Sequence, residues 1–145
     1  MKITICSSVD FTNKIKEVAD ALIKLWHEVE IPFCSKKIIA GELSLEEFLK
    51  VKESEGDGVF RRKATEDLIK RYYNLIRETD VILVLNYDKK WIKNYIWWNV
   101  FLEMGFAHVL NKKIYLLNDI PEMIYWDELK AMDPIVINWD LSQIK

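Results

Sequence analysis

Thr79–Asn118 reads TDVILVLNYDKKWIKNYIWWNVFLEMGFAHVLNKKIYLLN, and this stretch decides the fold. From Val81 the run VILVLNY is apolar without interruption, as a central parallel strand buried on both faces would be. A polar loop follows, then a helix near Asn99 to Leu110, then a strand from Lys113 to Leu117. Strand, helix and strand in that order place two strands side by side and parallel.

Outward from this centre the alternation repeats. Lys2 to Cys6 is β-branched and alternating, and Ser7, Ser8 and Asp10 then supply turn and cap residues. Phe11, Ile15, Val18, Leu22 and Ile23 form one apolar stripe of a helix. His27 to Pro32 reads as a second strand, so the first forty residues are βαβ. Phe33 to Gly58 has a weak pattern, with a helical stretch at Leu45 to Val51 and the charged segment KESEGDG, and reads as a mobile insertion. Helical period returns through Ala64, Leu68, Tyr72, Leu75 and Ile76. A short helix near Trp126 to Met132 and a strand at Pro134 to Asn138 close the chain. The expectation is one domain over residues 1–145: a flavodoxin-like or Rossmann-like three-layer α/β sandwich with a five-stranded, mostly parallel sheet. Ligands of such sheets sit outside the carboxyl ends of the strands, where strand order reverses.

Composition narrows the function. Charges nearly cancel at a net −2, so no global field draws in a nucleic acid polymer. Cys6 and Cys34 are too few for a disulfide framework and lie in no metal-like spacing, which fits a reducing, cytoplasmic setting. MKITICSSVDF is too short in its apolar run for a signal peptide, and no segment approaches the ~20 apolar residues of a membrane span. Neither a metal nor an organic cofactor is expected.

Glu103 stands among Phe101, Leu102, Met104 and Phe106 near the start of its helix. A carboxylate so placed either faces solvent, stabilised by the helix dipole, or has a purpose. Asn99 suits the N-cap, which would leave the N–H groups of Val100 and Phe101 open to an anion such as phosphate. Asn86, Tyr87 and Asp88 leave the central strand for the same loop, where Asp88 is a turn residue or an acid. Ser7 and Ser8 are a capping pair or ligand contacts. Trp91, Trp97 and Trp98 with Lys89, Lys90 and Lys93 could stack single-stranded nucleic acid. His27 and His108 are isolated and read as structural, and Arg61, Arg62, Lys70 and Arg71 read as a solvated helix face rather than a phosphate clamp.

The pieces VILVLNYD, FLEMGFA and NKKIYLL resemble the nucleoside 2-deoxyribosyltransferase-like family, which includes deoxynucleoside monophosphate N-glycosidases. Element order agrees across most of the chain, and the specific part spans residues 79–118. The resemblance implies that Glu103 is the nucleophile at the anomeric carbon, that Asp88 is the second acid or sugar anchor, and that Ser7 and Ser8 approach the sugar or 5′-phosphate. It likewise implies that Asn86, Tyr87, Trp97, Trp98 and Asn99 line the substrate site, that the ligand is a small nucleoside or nucleotide, and that the protein assembles as a homodimer or larger. The family usually carries a further Asp before the catalytic helix, where this chain has Trp97, Trp98 and Asn99. Transfer to a second base, hydrolysis, and a nucleotide-binding or regulatory module without turnover therefore all stay open.

Four glycines in 145 residues is under half the usual ~7%, while tryptophan reaches six. Trp26 follows a helix end, Trp91, Trp97 and Trp98 occupy the central loop, and Trp139 lies in the turn NWDLS. These are places for positive φ or close backbone approach, where the resemblance implies glycine. The expectation is that all five are UGA codons of an organism that uses UGA for glycine, read as tryptophan, with indoles at 97 and 98 obstructing or reshaping the pocket. Trp126, in a helical setting, lies outside the set.

Overall fold

Lys2–Cys6 forms β1, Glu28–Glu30 β2, Val81–Val84 β3, Lys113–Leu116 β4 and Ile135–Val136 β5 in a computed structural model that describes residues 1–54 and 59–145. Every pairing is parallel and the order is β2-β1-β3-β4-β5. The chain passes from β1 out to the edge at β2, then returns to β3 on the other side of β1. That reversal opens a crevice at the carboxyl ends of β1 and β3.

The period of two sorts the strand side chains between the layers. Ile3, Ile5, Val81, Leu83 and Tyr115 pack with Ile15, Val18 and Leu22 of α1, Thr12–Lys24. Cys6, Ile82, Val84, Ile114 and Leu116 pack on the opposite face with Ile76 of α4, Val59–Arg77, and with Val100, Met104 and Ala107 of α5, Trp98–Val109. Leu129 of α6, Trp126–Ala131, completes that second core. The α/β sandwich expected from the sequence is the one observed, and all four residues of β3 are buried, as a strand covered on both faces requires.

Two readings are corrected. Phe33–Ile39, taken as part of a mobile insertion, is helix α2, started by Pro32 and tied to α1 where the buried Ser35 hydroxyl meets Thr12 at 3.0 Å. Leu45–Ser54 follows as α3, while 55–58 of KESEGDG lie outside the described residues, as do the side chains of 51–67, Arg61 and Arg62 included. Helix α5 starts one residue earlier than read: its N-cap is Trp97, with no side-chain cap, and Asn99 stands inside the first turn.

Beyond β3, Asn86 joins two loops. Fully buried, it donates through Nδ2 to the carbonyls of Asn118 and Asp119 at 3.2 and 3.0 Å and accepts the Asn118 N–H at 3.0 Å. Removing the amide strands buried polar partners, so Asn86→Ala is expected to cost about 2–4 kcal/mol in a urea titration.

Three tryptophans hold left-handed backbone: Trp26 at φ 65°, Trp91 at 64° and Trp139 at 69°. At the end of α1 the N–H of Trp26 reaches Ile23 and that of His27 reaches Leu22, the double bond of a Schellman cap with Trp26 at the glycine position. The equivalent residue after α5 is Asn111 and after α6 is Asp133, types that tolerate this region. Lys89 and Ile92 exchange both backbone bonds at 3.0 Å, closing a two-residue hairpin over Lys90 and Trp91, both at positive φ. Asn138 and Trp139 repeat that pair of positive φ under a bond from Asp140 to Ile137. Trp97, at φ −70°, and Trp98, the first residue of α5, have ordinary backbone, so conformation does not call for glycine at those two places.

Candidate active site

Glu103 projects from the second turn of α5 into the crevice between β1 and β3 and is 8% exposed. It lines a cavity of about 380 Å³ with Ser7 and Ser8 after β1, Phe33 and Cys34 of α2, Tyr72 of α4, and Trp97, Trp98 and Asn99 at the head of α5. The exposed-carboxylate alternative is thus excluded by the packing. Burial pushes the Glu103 pKa up to about 8, against a smaller opposing effect from the Cys6 thiol, which hydrogen-bonds to the carboxyl. Glu103 Oε2 is buried with no hydrogen-bond partner among the described residues. Cys6 itself is fully buried, and desolvation, with the adjacent Glu103, holds its thiol well above the usual range. Burial thus favours the neutral carboxylic acid over the carboxylate around neutral pH, and the charged form gains as pH rises through about 8.

Both serines are at the cavity with local bonds as well. Ser7 Oγ donates to the Leu85 carbonyl at 3.1 Å, pinning β1 to β3. Ser8 caps the 3-10 turn Val9–Phe11 by accepting the Asp10 N–H. The Phe101 N–H, expected to be open to an anion, donates to Trp97 at 2.8 Å because the helix begins early. The N–H groups without an intrahelical acceptor are those of Trp98, Asn99 and Val100.

The central loop divides its residues between two hollows. Tyr87 falls on the α1 side of the sheet, its ring 5.1 Å from Phe11 and 5.8 Å from Trp139. Asp88 accepts the Asn94 N–H at 2.9 Å and, with Tyr87, Lys14, Lys93 and Asn118, lines a separate polar depression. The structure thus gathers Ser7, Ser8, Trp97, Trp98, Asn99 and Glu103, and brings neither Asp88 nor Tyr87 into their cavity. Asn86 supports the floor through its loop-to-loop bonds.

Sequence reading missed Tyr72 and Cys34. Tyr72 falls on the core stripe of its helix by period, and it instead lines the cavity beside Phe33. Cys34 lay in the segment taken as an insertion. The basic and aromatic stretch is folded on itself: Lys89 and Lys90 lie 4.3 and 4.7 Å from the Trp97 ring, and Lys89 also pairs with Asp10. His108 is exposed, and neither histidine lines any of these hollows. Among the described residues no group of three or more His, Cys, Asp or Glu could hold a metal ion, and no helix is long and apolar enough to cross a membrane.

No family model matches the chain, and no curated protein matches it. A solved structure of a CMP N-glycosidase from Clostridium botulinum is similar to it at 14% identity and a TM-score of 0.45, covering 94% of this chain and 86% of that one. A 2-deoxyribosyltransferase from Bacillus psychrosaccharolyticus is similar at 19% identity and a TM-score of 0.46, covering 94% and 98%.

Proposed function

We propose that the protein cleaves the N-glycosidic bond of a nucleoside or nucleotide through a covalent glycosyl intermediate on Glu103. One observation carries this reading: a buried carboxyl on α5, with an oxygen that no group among the described residues satisfies, faces a largely apolar cavity at the strand-order reversal. The quoted resemblance of VILVLNYD and FLEMGFA to glycosyl-transferring proteins supports it independently of geometry.

In the proposed cycle, ionised Glu103 attacks the anomeric carbon of an oxocarbenium-like sugar. The C–N bond breaks toward the base, which takes a proton as it leaves. Water, or a second base, then attacks the same carbon, and the Glu103 carboxylate departs. Asp88 was read as the second acid and lines the other hollow, so the leaving base draws its proton from solvent or from a group of the Glu103 cavity. The apolar walls strengthen the electrostatic contact between the carboxylate and the developing cation.

The test is direct. The protein is incubated from pH 6 to 9 with ribo- and deoxynucleosides and their 5′-monophosphates, and free base is resolved chromatographically. Release that rises toward pH 8 is expected, since the nucleophile must lose its proton. Burial that favours the protonated form of Glu103 near neutral pH supports a second reading, a nucleotide-binding module without turnover. Saturable binding of a monophosphate with no base released at any pH would select that reading.

A further inference from the structure

We infer that Tyr72 is the positioning residue of the site, donating its phenolic hydrogen to the Glu103 carboxylate when that group is charged. This rests on the function proposed above, and its structural basis is separate. Tyr72 enters the cavity from α4 while Glu103 enters from α5. The phenol carries a single proton to donate, and it lies near enough to Glu103 for the carboxylate charge to raise its pKa. Glu103 Oε2 is a buried acceptor without a donor among the described residues.

The surroundings keep that proton in place. Burial first, then the nearby Glu103, Cys6 and Cys34, hold the phenol well above its usual pKa, so it stays a neutral donor at every working pH. The groups bearing on Glu103 and its partner are Cys6 from β1, Tyr72 from α4 and Cys34 from α2, with Lys37 and Arg71 acting on Cys34. Among them Tyr72 combines an oxygen donor with a position in the cavity wall.

Tyr72→Phe keeps the ring and removes the donor. With glutamate carboxyls labelled with ¹³C, the Glu103 titration is followed by NMR in the absence of substrate. Loss of a hydrogen bond to a charged group should move it up by about one to two pH units, and the rising limb of kcat/KM should move with it. A hydroxyl that makes no bond to Glu103 would leave the titration where it was, and that result overturns the inference. Because the NMR arm needs no turnover, a shifted titration in a protein that releases no base would sustain Tyr72 and defeat the glycosidic reading alone.

A second inference stands on the backbone. We propose that the gene encodes glycine at 26, 91 and 139, as UGA in an organism that uses that codon for glycine. The three indoles occupy the C′ position of a Schellman cap and the second residue of two turns with paired positive φ. These are three settings in which glycine is the preferred residue. Trp26 and Trp91 are 94% and 106% exposed, so packing does not account for either indole. Trp126, at the start of α6, has ordinary backbone and is expected to be a true UGG codon. UGA at all three codons, with glycine in peptide masses of the protein from its own cells, supports the proposal. UGG at any of the three overturns it.

Discussion

Glycine at positions 26, 91 and 139 is expected to raise the thermal midpoint by roughly 3–12 °C. A side chain in the left-handed region costs ~1–2 kcal/mol, and glycine returns about half of that through its greater freedom when unfolded. Each replacement therefore gains about 0.5–1 kcal/mol. Over three independent sites this sums to ~1.5–3 kcal/mol, at about 2–4 °C per kcal/mol for a chain of this size. The gain should be smallest at position 139, where the indole donates to Asn118 Oδ1 at 2.9 Å and touches the Tyr87 ring. Trp126→Gly is the control and should destabilise, because glycine is a poor helix former and the indole is partly packed. A triple variant no more stable than the parent in differential scanning calorimetry would mean that those turns are not strained.

Glu103→Gln should lower base release by about a thousandfold or more, since an amide cannot form the glycosyl ester. The same variant should change the pH dependence of stability. Folding raises the Glu103 pKa from 4.5 to about 8, so the folded state binds this proton more tightly than the unfolded one. The resulting stabilisation is complete below pH 4.5 and is lost as pH rises through 8. At 1.4 kcal/mol per pH unit, the loss by pH 9 is about 5 kcal/mol. Glutamine keeps the shape and carries no charge, so its urea midpoint should fall far less than the parent's between pH 6 and 9. Equal decline in both proteins would show that Glu103 ionises without cost and is not buried in solution. Retained turnover in the variant would remove it from the chemistry.

Local periodicity is what made the fold legible. The unbroken run from Val81, the alternation of Lys2 to Cys6 and the stripe through Ile15, Val18 and Leu22 each report a neighbour's presence through burial, and their order implies a parallel sheet. Glu103 stood out as a charge set within an apolar helix, but the residues alone left it open between solvent and a site, and the family resemblance singled it out as a nucleophile. The glycine-type turns at Trp26, Trp91 and Trp139 were legible because cap and turn chemistry is set by adjacent residues. That logic overreached at Trp97 and Trp98, where α5 simply begins earlier and no positive φ is needed.

The sequence by itself determined an α/β sheet of five strands, the helix carrying Glu103, and the left-handed positions at Trp26, Trp91 and Trp139. Only the tertiary structure decided which side chains meet. Strand-order reversal sets Ser7 and Ser8 beside α5, α2 closes the cavity with Phe33 and Cys34, and Tyr72 of α4 lines the same cavity as Glu103. It also sends Tyr87 and Asp88 to the α1 side of the sheet, away from the cavity they were expected to share. Periodicity reports whether a residue is covered, through contacts a few positions away, whereas a site is assembled by residues up to a hundred positions apart whose encounter depends on strand order and helix docking.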